Sequence, residues 1–101
     1  MTRIVSQKLR DSARDQDCAL RLVGVCSFDS STTVLCHLPV GMKGVGMKSP
    51  DLFAAFGCSA CHAVIDGHAR GSFDAEDLLR ALAETQMRWY ETGLLTVKGA
   101  A

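Results

Sequence analysis

Residues 58–67 read CSACHAVIDG: a Cys-x-x-Cys pair leading into a short apolar stretch that Gly67 stops. A turn carrying Cys58 and Cys61 lets two thiolates converge on one ion with little strain, and the residues after it fit a short helix. Working outward, a second pair, Cys18 and Cys26, lies upstream in CALRLVGVC at 18–26. Its spacing is wider than the usual two to four residues of a metal pair. It can still converge if 18–26 folds back around Gly24. Four thiolates in two pairs are the makings of a closed, tetrahedral zinc site. The competing reading is a set of buried, inert cysteines.

The rest of the chain favours metal over disulfides. No apolar stretch near the start is long enough for a signal peptide, so the expected address is the cytoplasm, where disulfides are rare. No run of apolar residues is long enough to span a membrane. With 101 residues, 48% hydrophobic and 22% charged, the chain has room for one small domain, whose modest core a metal can supplement. Eleven basic and eleven acidic residues balance, so net charge lends no support to nucleic-acid binding. A thioredoxin-like use of the Cys pair lacks its βαβ context. Cys58–His62 is also a literal c-type haem attachment string, with Met42, Met47 or Met87 as the second axial ligand. That reading needs export and leaves Cys18 and Cys26 without a use.

Further out, residues 1–17 suit a short helix with Leu9 and Ala13 on one face. Residues 18–26 read as a short strand and turn, and TTVLCHL at 32–38, ending at Pro39, reads as a strand. PVGMKGVGMKSP at 39–50 is a loop, and DLFAAFG at 51–57 is ambiguous between helical turn and strand. Residues 74–92 form the clearest helix, with Asp74 as N-cap, Gly93 as stop, and Leu78, Leu82 and Trp89 on its core face. LLTV at 94–97 suits a last strand.

Two histidines carry the chemical argument. His62 follows Cys61, and Asp66 lies four residues on, so a helix puts both on one face, where they can jointly hold a divalent cation. His37 ends the strand of 32–38, before the Gly-rich loop. The order is Cys pair, strand ending in His, loop, Cys pair with His attached, then Asp. It resembles the HNH, or ββα-metal, endonucleases over residues 18–67. Over its whole length the chain resembles the small, prophage-borne YbcO-type nucleases. The matching segments are LRDSAR at 9–14, the string ending at Cys26, PDLFAAFGCSACHAVID at 50–66, and the late helix with Gln86 and Trp89.

The resemblance implies an α+β fold: a zinc-stapled ββα-metal, treble-clef-like core with helices added at both ends, in a single domain over residues 1–101. It implies a metal-dependent DNA endonuclease of phage origin, with His37 as general base. Cys18, Cys26, Cys58 and Cys61 would hold structural zinc, and His62 and Asp66 a catalytic Mg²⁺ or Mn²⁺. Lys43, Lys48 and Arg70 would contact DNA. The chain departs from the HNH pattern twice. Cys36 stands where a metal-binding Asp or His often precedes the base; strand alternation turns it toward the core. The middle Asn is missing, with Asp51 and Ser49 the nearest polar substitutes. The alternative function is a noncatalytic zinc module binding DNA or a phage recombination or replication protein.

Overall fold

The computed structural model describes residues 4–39 and 49–100. Lys43, Lys48, Met42 and Met47 lie outside the described residues. The elements are α1 (Gln7–Asp11), β1 (Val34–His37), β2 (Ala54–Gly57), α2 (Ser59–Ile65) and α3 (Ala75–Glu91), with 3-10 turns at Ser30–Thr32 and Asp51–Phe53. β1 and β2 pair antiparallel in the register Val34↔Gly57, Leu35↔Phe56, Cys36↔Ala55 and His37↔Ala54.

α1 starts where Ser6 Oγ accepts the Leu9 N–H at 3.2 Å, which satisfies one of the helix's orphan donors. Leu9 and Ala13 are both buried, as their spacing suggests. The stretch 18–26 is not a strand. Among the described residues no strand pairs with it, and Arg21 sits at φ +42°. Ala19 N–H reaches Phe56 O at 2.8 Å, and then the chain reverses: Val25 and Cys26 N–H both bond Leu22 O, with Gly24 at φ +72°. This left-handed turn is the fold-back that brings Cys18 and Cys26 together.

All four residues of β2 are buried. α3 covers the strand: Phe56 N–H donates to Thr85 Oγ1 at 3.1 Å, and the Phe56 and Trp89 rings meet edge to face, 6.2 Å apart at 86°. Trp89 is fully buried, and its Nε1–H donates to Ser12 Oγ at 2.7 Å, so the long helix also clamps the turn after α1. From the same helix, Gln86 Nε2 donates to Leu52 O at 2.9 Å, holding the 3-10 turn before β2. At Gly57, a Cβ would come within 2.8 Å of Leu20 Cδ1 and 3.3 Å of Cys36 Cβ. The absent side chain is what lets the Cys18–Cys26 loop lie against the hairpin.

α2 begins at Cys58 as N-cap and ends before Gly67, at φ +78°. α3 opens on a full capping box between Asp74 and Asp77 and closes at Gly93, φ +81°. Residues 94–97 form no strand; Leu94 and Leu95 N–H turn back to Trp89 O. Among the described residues, no helix is long and apolar enough to cross a membrane.

Candidate metal centre and active site

The Cys18–Cys26 turn and the α2 N-terminus place four sulfurs together. The Sγ atoms of Cys18, Cys26, Cys58 and Cys61 all lie within 4.8 Å of one another, and Cys26 to Cys58 is 3.9 Å. None is in a disulfide. Four sulfurs about 2.3 Å from a central zinc sit about 3.8 Å apart. The Cys26–Cys58 pair already has that spacing, and the others reach it with a contraction of at most about 1 Å. Backbone N–H groups support the thiolates: Arg21 on Cys18 and Phe28 on Cys26, each at 3.4 Å, and Cys61 on Cys58 at 3.5 Å. Burial alone would raise the Cys58 thiol, but hydrogen bonds from Ser27 and the Cys61 N–H outweigh it and bring the group down to about 6. Burial pushes Cys61 upward. This donor set uses both Cys58 and Cys61 together with the upstream pair, which a haem attachment does not explain. Met87, the haem ligand candidate within the described residues, is exposed.

The second cluster forms at the far end of the hairpin, where β1 delivers His37. His37 Nε2 lies 2.6 Å from Asp51 Oδ1. Asp51 is 1% exposed and accepts three further bonds: Ser6 N–H at 2.7 Å and Arg10 Nε–H at 3.1 Å on Oδ2, and Arg10 Nη2 at 3.3 Å on Oδ1. Burial alone would raise this carboxyl; His37, Ser6 and Arg10 together hold it below the ordinary value of 3.8. An ionised carboxylate only accepts, so Nε2 carries a proton toward Asp51; in the neutral imidazole Nδ1 then presents its lone pair. A cavity of about 440 Å³ opens beside the imidazole, lined by Arg10, Arg14, Thr33, Val34, Leu35 and His37.

On α2, His62 Nε2 lies 3.0 Å from Asp66 Oδ2, and both side chains are about one-third exposed. The i, i+4 spacing therefore does bring them together. Among the described residues no hydrogen bond links this pair to His37, and neither lines the cavity. Arg70 and His68 are exposed.

The structure separates the two substitutes for the missing Asn. Asp51 belongs to the His37 cluster, whereas Ser49 is buried and donates to Leu38 O at 2.9 Å, pinning the end of the loop to the exit of β1. Among the described residues, the imidazole is held by the Asp51 side-chain carboxylate. Cys36 is fully buried and stands apart from the four-sulfur group, as strand alternation requires. Thr33 is a cavity residue that the sequence does not single out, and Arg10 and Arg14 stand out in it only as two of several basic residues of the N-terminal segment.

A family model described as "Putative nuclease YbcO" matches residues 7–96. Curated proteins with that description from Escherichia coli (strain K12) and Enterobacteria phage 82 are each 38% identical over 91 residues, covering 86% of this chain and 95% of their own length. A solved structure described as a putative bacteriophage protein from Escherichia coli str. K-12 substr. MG1655 superposes with a TM-score of 0.66 at 34% identity, over 85% of this chain and all of that one. With its cysteine cluster and His37 site both inside the matched span, the chain belongs to the YbcO family.

Proposed function

We propose that this protein is a metal-dependent DNA endonuclease of phage or prophage origin, stapled by one structural zinc. The observation that carries the reading is the buried Asp51 carboxylate 2.6 Å from His37 Nε2, at the edge of a cavity that also holds two arginines. The nuclease description of its relatives agrees with it. The chain order β1, β2, α2, with the histidine at the end of β1, supports a ββα-metal arrangement.

His37, neutral and with Nδ1 free, takes a proton from the attacking water. Asp51 fixes the productive tautomer and then faces the imidazolium that forms. Arg10 keeps Asp51 ionised and in place. His62 and Asp66, whose Nε2 and Oδ2 lie 3.0 Å apart, would hold the catalytic cation. When bound, Mg²⁺ or Mn²⁺ supplies positive charge to the scissile phosphate and the leaving oxygen. Lys43, Lys48 and Arg70 add electrostatic contacts to DNA.

The test is nicking of supercoiled plasmid by zinc-loaded protein with no added metal, with Mg²⁺ and with Mn²⁺. The reading expects cleavage only with added metal, and its loss in His62→Ala and Asp66→Asn at unchanged zinc content. Cleavage without added metal, or unaffected by both substitutions, contradicts this assignment of the ion. No cleavage of plasmid, single-stranded or branched DNA by folded, zinc-loaded protein favours the noncatalytic zinc module.

A further inference from the structure

We propose that Arg10, Arg14 and Thr33 form a subsite for one backbone phosphate of the DNA strand, adjacent to His37. The identity of the anion rests on the nuclease reading; the site itself rests on the cavity and its lining.

Arg10 comes from α1 and Arg14 from the turn after it, and both line the same cavity as His37. Arg10 commits its Nε–H and one Nη2 hydrogen to Asp51. A guanidinium has five N–H donors, so three remain, on a group whose orientation the buried carboxylate has already set. The Arg14 side chain is 79% exposed, and its ion pair with Asp11 is a long one, 3.8 Å. A contact of that length at the surface is weak and leaves the guanidinium available. Thr33 gives the independent observation. It lines the cavity and is 6% exposed, and its Oγ1 is buried with no hydrogen-bond partner. Hydroxyls in that condition are uncommon, because burial without a partner is costly. Two forked cations and a hydroxyl donor suit a tetrahedral oxyanion with several acceptor oxygens. Val34, partly exposed on the cavity lining, offers an apolar surface to the adjoining sugar.

The experiment measures binding of a short fluorescein-labelled DNA duplex, and of the matching single strand, by anisotropy. The protein is zinc-loaded, without Mg²⁺ or Mn²⁺, across a salt series. Arg14→Ala, at an exposed position, should raise Kd about five- to tenfold. It should flatten the slope of log K against log salt by about 0.9, the signature of one lost phosphate contact. Thr33→Val, which removes the unpaired hydroxyl at nearly constant shape, should weaken binding while leaving Tm unchanged or higher. A purely structural hydroxyl predicts the reverse: lower Tm and unchanged Kd. Wild-type affinity and slope in both variants would overturn the subsite and leave the nuclease reading standing. If millimolar inorganic phosphate raises Tm through Arg14 while DNA affinity ignores the substitution, a free-phosphate site replaces the proposed one. Wild-type protein that neither binds nor cuts duplex or single strand removes the nuclease reading and the DNA phosphate with it.

Discussion

Replacing Asp51 with Asn tests the proposed catalytic cluster through a nearly isosteric change. The carboxylate receives four short contacts, from His37, Ser6 N–H and two Arg10 nitrogens. Hydrogen bonds to a charged group contribute about 1.5–3 kcal/mol each. The Arg10 share is smaller, because that side chain is 43% exposed and screened by water. An Asn oxygen still accepts from Ser6, so the net loss is about 2 kcal/mol, or about 10 °C in Tm for a chain of this size. The kinetic effect is larger. An Asn amide can donate to Nε2, which favours the tautomer with the proton on Nδ1 and removes the basic lone pair from the attacking water. General-base catalysis is worth about 10²–10⁴-fold, and Asp51→Asn should lose most of it. The assay is single-turnover plasmid nicking on protein whose zinc content and folded fraction are matched to wild type. Activity within threefold of wild type would refute the role given to Asp51.

The same carboxylate sets an acid limit. Its folded pKa lies below the ordinary 3.8, so its contribution to stability is complete above about pH 4 and fades as pH falls through the lower, folded value; Asp51→Asn should flatten that part of a Tm-against-pH curve. Cys61→Ser, at a fully buried cluster position, should abolish stoichiometric zinc and leave the chain largely unfolded by circular dichroism, and a zinc chelator should do the same to wild type. Thr85→Val removes the acceptor for Phe56 N–H and should cost about 1–3 kcal/mol by denaturant titration, with nicking per folded molecule unchanged. Asp74→Ala breaks the α3 capping box and should cost about 1 kcal/mol, again without a kinetic effect.

What the sequence disclosed divides by range. The Cys58–Cys61 turn, the stop at Gly67 and the capped helix from Asp74 to Gly93 depend on neighbours within a turn or two, and the structure has them where local chemistry puts them. Asp51 meets His37 across a Gly-rich loop, and Arg10 meets Asp51 from 41 residues away. No local pattern encodes those encounters; only the hairpin register and the packing of α1 create them. The strand expected in 18–26 failed for a related reason. Its Leu and Val content satisfies strand propensity, but Leu20 and Leu22 are spent on the core while the backbone turns at Gly24 to aim two sulfurs. LLTV at 94–97 is likewise rich in Leu and Val, but its Leu94 and Leu95 N–H groups are turned back to Trp89 O. Strand propensity describes fit to a half-buried pleated surface, and both segments lack one.

The central claim, that His37 is the base of a metal-dependent nuclease, is tested most directly by plasmid nicking with wild type and His37→Ala in parallel, at equal zinc content and with Mg²⁺ or Mn²⁺ supplied. The account predicts metal-dependent nicking by wild type and a loss of about 100-fold or more in the variant. Equal nicking by the two proteins would contradict it.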